Sequence, residues 1–465
     1  MTARLIKQGL ERGYDALGVR LYLAALDRHK QEPFSKLLAE ALQNQHKPLP
    51  QLRAESFGKL QAIVRYAEQT EFYRGHFQRH GIRAADLRTP QDILRFPRLS
   101  KSDVFDGFEN MRGPAPRGKV FLAKTSGSTG IALRFYTDAL HLSWSSAAQW
   151  RGRTWWGAKR GVRELILWGR PLDDSQRANR ISELKYRLRN SRQFNTFEEF
   201  DDRRLEEITD TLLQFRPRMV YGYGSSLGRL ATYMRDAGVQ VPKAQAPLFV
   251  EYTADHMLPV EQETAKQVMQ APVLSQYGSS EAGGLAQQCR QGNLHISTDH
   301  LYVEFLRPDG SPAEPGQSAD IVVTTLNNHA MPLVRYVVGD VGSYSDKPCS
   351  CGVNLPVMNL ELGKAVELIS TSERDRVSAH IFDYANIYLM REGIEGIKQY
   401  YVEQLAPDDF RLSIIPTQPD YQQATDVFVS HMKKHLGERI SVDVRAVDAL
   451  TVSASGKRRY FDKRF

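Results

Sequence analysis

"PRMVYGYGSSLGRLATYMRDAG", residues 217–238, gives three signals in succession. Met219, Val220 and Tyr221 are residues that favour a pleated, half-buried surface. Gly222 and Gly224 interrupt them, and from Ser225 onward Leu227, Leu230, Ala231 and Met234 recur at helical spacing up to Gly238. The stretch reads as strand, glycine turn and helix. The same succession stands upstream, where "KVFLAKTSGSTG" (119–130) gives strand and turn, "TDALHLSWSSAAQWRGRTWW" (137–156) a helix and "GVRELILWG" (161–169) the next strand. Downstream it continues with "APLFVEYTA" (246–254), a helix through Lys266 and "PVLSQYGSSEAGG" (272–284). Such alternation predicts βαβ units and a mostly parallel sheet, with function on the loops at the strand C-terminal ends.

The flanks differ. The first hundred residues read as helices, with "LGVRLYLAALDRH" (17–29) and "SFGKLQAIVRYAEQT" (56–70) followed by the proline-punctuated "LRTPQDILRFPRLSKSDV" (87–104). The first of these suits core packing or a subunit contact, as in a homodimer, better than a membrane surface. After residue 300 the strands "HLYVEFL", "ADIVVTTL" and "LVRYVVGDVGSYS" are short, separated by glycine and proline turns, and read as antiparallel. The last hundred residues, with "IKQYYVEQL", "FRLSIIP", "ATDVFVSHMKKHLG" and "ISVDVRAV", form a small α+β unit. The fold class expected is α/β, with mixed or parallel sheets flanked by helices, an antiparallel region, and a small mobile C-terminal domain. The expected division is 1–118 as a helical layer of the large domain, 119–362 as its core, and 363–465 as a lid.

Composition bounds the function. The chain has 465 residues, 41% hydrophobic and 25% charged, which suits a soluble protein of two or three domains. No secretory signal and no apolar run of about 18 residues stands out, so a cytoplasmic protein without a membrane span is expected. The formal charge of +8 is spread along the chain and fits equally an anionic small substrate, contact with an acidic surface, or no particular partner; nucleic acid is not the expected partner. The densest basic patch is Lys457–Arg464, which follows the Ser455-Gly456 turn.

Four short segments offer chemistry. Thr125-Ser126-Gly127-Ser128-Thr129-Gly130 lets backbone N–H groups and hydroxyls converge on an anion, yet Ile131 stands where a Walker lysine would follow. Tyr277-Gly278-Ser279-Ser280-Glu281 puts an aromatic face, hydroxyls and a carboxylate on one loop, and that carboxylate suits magnesium. Arg335–Asp340 ends a strand in an aspartate able to accept two ribose hydroxyls. Ser453–Lys457 sets a lysine on a tight turn. Singly, each could be an ordinary loop or tail.

Taken in this order and at these distances, the four segments resemble the adenylate-forming superfamily of acyl-CoA synthetases, nonribosomal adenylation domains and luciferases. The chain is most similar to the phenylacetate–CoA ligase branch with its CapK-type relatives, over roughly residues 90–465. The resemblance implies that Thr125, Ser126, Gly127, Ser128, Thr129 and Gly130 close over the β- and γ-phosphates of ATP. It implies that Tyr277, next to Gly278, stacks on adenine, that Ser280 lies near the α-phosphate, and that Glu281 binds magnesium. Asp340 would hold the ribose, Lys457 would bridge carboxylate and α-phosphate, and Gly363-Lys364 would be the hinge. Ile131, Lys364 and Val366 depart from the family pattern and bear on domain rotation and the second half-reaction.

Cysteines form a further constellation. Cys289 and His295 lie in "CRQGNLH", and Cys349 and Cys351 in "DKPCSCG". A Cys3His set has the ligand count and softness of a closed structural zinc site; His300 is the alternative nitrogen ligand, and scattered free thiols are the alternative reading. The branch resembled includes members with zinc at this place. The function expected is ATP- and magnesium-dependent activation of a carboxylic acid, aryl or otherwise small, to an acyl-adenylate, with transfer to coenzyme A or another thiol or amine acceptor. Trp155, Trp156, Trp168, Tyr221 and Tyr223 are the aromatic supply near the expected pocket. The other readings are use of an amine or hydroxyl acceptor in polysaccharide biosynthesis, and a non-catalytic nucleotide-binding scaffold.

Overall fold

The computed structural model describes Val19, Ala25 and residues 34–124, 133–169, 184–196, 201–255, 257–361, 368–374, 377–379, 381, 382, 385, 388, 389, 392–448, 450 and 461–465. The helical reading of 17–29 therefore lies almost wholly outside the described residues. Four helices open the described chain: α1 (Phe34–Asn44), α2 (Leu49–Ala67), α3 (Glu71–Arg79) and α4 (Lys101–Asp106). Short polar side chains start several of them, as local chemistry dictates. Thr70 accepts the Tyr73 amide at the head of α3, and Ser100 and Asp103 cap α4 reciprocally.

Strands β1 (Val120–Lys124) and β2 (Arg134–Asp138) then pair with each other antiparallel, as a separate two-stranded sheet. Residues 120–124 and 134–138 thus pair with each other and do not join the parallel sheet, because alternation along a strand fixes its face and leaves its partner open. Asp138 ends β2 and caps α5 (Ala139–Trp155) by accepting the His141 amide at 3.0 Å.

The main sheet has eleven strands. Its parallel part runs β4 (Ser191–Phe194), β3 (Glu164–Leu167), β5 (Met219–Tyr223), β6 (Phe249–Thr253) and β7 (Val273–Ser279), all paired parallel. Helices α6 (Asp202–Phe215), α7 (Gly224–Asp236) and α8 (Pro259–Met269) cover it, and Leu205, Leu212, Leu227, Leu230 and Val268 bury against Leu165, Leu167, Val220 and Val250. Strand β7 is the turning point. It pairs parallel with β6 and antiparallel with β8 (Gly283–Gln288), after which β9 (Leu294–Ile296), β13 (Val357–Leu360), β12 (Tyr336–Ser345), β11 (Ala319–Thr325) and β10 (Leu301–Leu306) follow antiparallel. The antiparallel region expected after residue 300 therefore begins at Gly283 and belongs to the same sheet. The layer of α2 and α3 packs on it through Leu60, Ile63, Tyr73 and Phe77.

The last unit has its own core. β14 (Ile397–Ala406), β15 (Asp409–Pro416), β16 (Ser441–Ala446) and β17 (Phe461–Lys463) make a four-stranded sheet, and a helix, Gln422–Leu436, lays Phe428 and Met432 against Tyr400, Leu412 and Ile414. Lys398 reaches Asp106 of α4 at 3.1 Å. Among the described residues no helix is long and apolar enough to cross a membrane.

Candidate active site

The turn between β7 and β8 carries the candidate chemistry. Gly278 is required there because a Cβ would stand 2.6 Å from the Gly283 carbonyl oxygen, and Gly283 has a φ of +78°. The Ser279 hydroxyl accepts the Ala282 amide at 3.0 Å and closes the turn, leaving Ser280 exposed at its tip. Glu281 is 5% exposed, and its Oε1 accepts the Tyr336 hydroxyl at 2.8 Å. Four residues along β12, Asp340 accepts the Tyr277 hydroxyl at 3.0 Å. These two bonds cross-brace β7 and β12, which are separated in the sheet by β8, β9 and β13. In a flat sheet such strands would lie about 19 Å apart, beyond side-chain reach, so this half of the sheet must curl around to bring them together.

Electrostatics follow from burial. Both tyrosine hydroxyls are raised well above their ordinary value, by desolvation first and then by the carboxylate each faces, so both are neutral donors. Behind the turn, His300 Nε2 donates to the Ala282 carbonyl at 3.0 Å and its ring lies 4.8 Å from that of His141. Both imidazoles are pushed down to about 3, chiefly by burial, and are neutral.

The structure thus brings Tyr277, Gly278, Ser280, Glu281 and Asp340 to one place. The candidate phosphate loop Thr125, Ser126, Gly127, Ser128, Thr129 and Gly130, the hinge pair Gly363 and Lys364, and Lys457 lie outside the described residues. Two of the expected pocket aromatics are used elsewhere. Trp155 packs with Leu52, Val353 and Leu355 and donates to Gln45 Oε1 at 2.7 Å, and Trp156 donates to the Gln288 carbonyl at 2.9 Å, because the last turn of α5 faces the β8–β9 corner. Trp168 instead stacks on Tyr223 at 4.3 Å and on Tyr221 at 5.6 Å, at the C-terminal ends of β3 and β5. The sequence reading missed three buried ion pairs, Arg151–Asp299, Arg153–Glu251 and Arg335–Glu304. It also missed Tyr336 as the partner of Glu281.

The cysteine cluster assembles around the β8–β9 corner. One ligand atom each from Cys289, His295, Cys349 and Cys351 lies within 4.8 Å of every other. His295 Nδ1 donates to the Leu355 carbonyl at 2.8 Å, which fixes the tautomer and turns Nε2 toward Cys351 Sγ at 3.2 Å. Asn293 Nδ2 donates to Cys349 Sγ at 3.1 Å. Three sulfurs, one oriented imidazole nitrogen and this spacing fit a tetrahedral zinc ion, and the Leu355 carbonyl holds the far nitrogen of the histidine as such a ligand requires. His300 is not in this group.

No protein-family model matches the chain. Protein CapK of Staphylococcus aureus is 22% identical over 273 residues, 59% of this chain and 58% of CapK. The phenylacetate-coenzyme A ligase of Thermus thermophilus is 27% identical over 349 residues, 69% of this chain and 72% of the ligase. The crystal structure of 2-hydroxyisobutyryl-CoA ligase in the postadenylation state, in complex with R3-HIB-AMP, superposes with a TM-score of 0.58 over 90% of this chain and 91% of the other, at 16% identity, which establishes a shared fold. The chain thus shares the fold of adenylate-forming enzymes. In sequence it is similar to phenylacetate-coenzyme A ligases and to CapK, spanning less than two thirds of the latter's length.

Proposed function

We propose that this protein is an adenylate-forming ligase that joins a carboxylic acid to the adenylyl group of ATP and then passes the acyl group to an acceptor, coenzyme A in the first instance. The observation that carries this reading is the pair of braces Tyr336–Glu281 and Tyr277–Asp340, which hold two carboxylates at one end of the curled sheet, at sequence positions that match the family's magnesium- and ribose-binding acids. In the first step the substrate carboxylate oxygen bonds to the α-phosphorus and the bond to pyrophosphate breaks. Two anions meet, so the protein's work is positioning and charge neutralisation rather than nucleophilic attack. Asp340 would accept the ribose hydroxyls, Ser280 would bond an α-phosphate oxygen, and Thr125–Gly130 would hold the outer phosphates. Glu281, held in one orientation by Tyr336, would carry the magnesium ion, which neutralises phosphate charge when bound. Lys457 would complete the site opposite the charge that develops on the α-phosphate.

In the second step an acceptor thiol attacks the acyl carbon and AMP leaves. The T. thermophilus ligase, by its name, acts on phenylacetate, and an aryl or other small acid is the first class to try here. The Cys289–His295–Cys349–Cys351 cluster would hold a structural zinc remote from the reacting atoms. Pyrophosphate release, followed with ATP, magnesium and a panel of carboxylic acids, tests the reading. Acid-dependent release is expected for at least one aryl or small acid, whereas a scaffold would release none with any.

A further inference from the structure

Apart from the Glu281–Asp340 site, a groove with a cavity volume of 630 Å³ opens between α2 and the segments 115–117 and 326–329. Hydrogen bonds tie its walls together. The Tyr66 hydroxyl donates to the His329 carbonyl at 2.9 Å and accepts the Ala115 amide at 2.8 Å. Asp138, fully buried, accepts the backbone N–H of Arg117 at 2.9 Å and of His329 at 3.0 Å, so both loop walls hang on one carboxylate. Such a groove is formed before any ligand arrives.

Its charge is one-sided. Lys59, Arg65 and Arg117 line it, and no carboxylate does. The nearby acids are occupied: Asp138 by three backbone N–H groups, Asp299 by Arg151 at 2.7 Å and Asn44 at 3.2 Å. Among the described residues Lys59 Nζ donates to the neutral Asp299 carbonyl at 3.1 Å and lies over the Trp144 ring, and Arg65 and Arg117 make no ion pair. On α2, Lys59, Ile63 and Tyr66 succeed one another at helical spacing and turn one face to the groove, while Arg117 approaches from the opposite wall. Three cationic residues thus line one groove whose floor includes Ile63 and Leu326.

The groove shares no lining residue with the Glu281–Asp340 site or with the 125–130 segment expected to grip the ATP phosphates. We propose that this groove binds a phosphate monoester whose phosphate is held by Arg65, Arg117 and Lys59 and whose apolar body lies on Ile63 and Leu326. Guanidinium forks match phosphate oxygens in geometry and in charge, and the volume accommodates a small organic phosphate. The proposal requires neither ATP nor an acid substrate, and so stands apart from the ligase reading.

Phenyl phosphate is the probe, titrated calorimetrically into the full chain without nucleotide or magnesium, with inorganic phosphate and phenol as partial mimics. The indole of Trp144, 4.6 Å from Lys59 Nζ, supplies a second, fluorescence readout. Phenyl phosphate is expected to bind more tightly than either mimic. The Arg65→Glu, Arg117→Glu double variant, altered only at exposed positions, should weaken binding about tenfold or more at an unchanged melting temperature, because each lost contact is a charge-assisted one. Asp340→Ala should bind the probe as the wild type does. Absence of binding by the wild-type chain, or binding kept in the double variant and lost in Asp340→Ala, would overturn the proposal.

Discussion

A single hydroxyl decides how Glu281 is presented. Buried as it is, this carboxylate would be free to turn without Tyr336, whose phenol is held neutral and donating at 2.8 Å. Tyr336→Phe removes one hydrogen bond to a charged acceptor, worth about 1.5–3 kcal/mol, and should slow acyl-adenylate formation roughly tenfold to a hundredfold. The same variant should bury nearly the same apolar surface, so single-turnover adenylate formation and the melting temperature separate the two effects. An unchanged rate would show that Tyr336 does not position Glu281. Sequence reading singled out the Arg335–Asp340 segment for its aspartate and overlooked this tyrosine, since its partner lies 55 positions away. The buried arginines were hidden for a related reason. Arg151 and Arg153 sit two residues apart in α5, where sequence alone assigns them no partner, and only tertiary contact with Asp299 and Glu251 shows them as interior ion pairs. Removing one partner of such a pair leaves an uncompensated charge, at a cost of about 3–5 kcal/mol.

At the scale of elements, local pattern was a good guide wherever a face was buried. The strand–turn–helix of 217–238 became β5 and α7, and the stretch 272–284 became β7 and the start of β8. The 119–138 stretch was misjudged because residues that alternate along a strand specify a face and leave the partner strand open. Strand β8, with two glycines at its start, carries little β propensity; packing sets it, for a Cβ on Gly283 would stand 2.4 Å from Ser145 Oγ of α5. The cysteine cluster lies where β8, β9 and the segment before β13 meet, joining elements that loops alone would connect. Purified protein should carry about one zinc per chain by elemental analysis, as the ligand count demands. A Cys349→Ser, Cys351→Ser double variant should lose the metal and melt at a lower temperature. Metal-free wild-type protein, or an unchanged melting temperature in the variant, would contradict the zinc assignment.

Over the whole molecule, the sheet's change from parallel to antiparallel at β7 places the site. The parallel half supplies loops at strand ends, the antiparallel half curls, and the β7–β8 turn stands where they meet. Sequence alternation made the parallel half legible. The curl was not legible, because it arises from twist accumulated over many strands rather than from any local motif. The whole fold also carries a pH signature. His141, His300 and His431 are pushed down to about 3 and His435 to about 4, each chiefly by burial, so all four are neutral when folded. Their folded values lie below the ordinary 6.5, so the unfolded chain binds more protons at acid pH. The stability they confer is complete above about pH 6.5 and is lost as pH falls toward their folded values, by up to about 1.4 kcal/mol per pH unit for each histidine. Urea midpoints measured at pH 7, 6, 5 and 4 should fall progressively from pH 6 downward; a flat profile to pH 4 would show that these imidazoles are not buried neutral.

If the chain activates an acid at the expense of ATP as proposed, Lys457 would act opposite the reacting groups. A lysine that acts mainly on charge developing in the transition state contributes little to ground-state nucleotide binding. The direct measurement is acid-dependent pyrophosphate release by the wild-type chain and by Lys457→Ala, with ATP affinity determined alongside. Robust release by the wild type is expected, with a fall of several hundredfold or more in the variant, about 4 kcal/mol in the barrier, and nearly equal ATP affinities. Equal release rates in the two proteins, or no release from the wild type with any acid, would contradict the ligase reading.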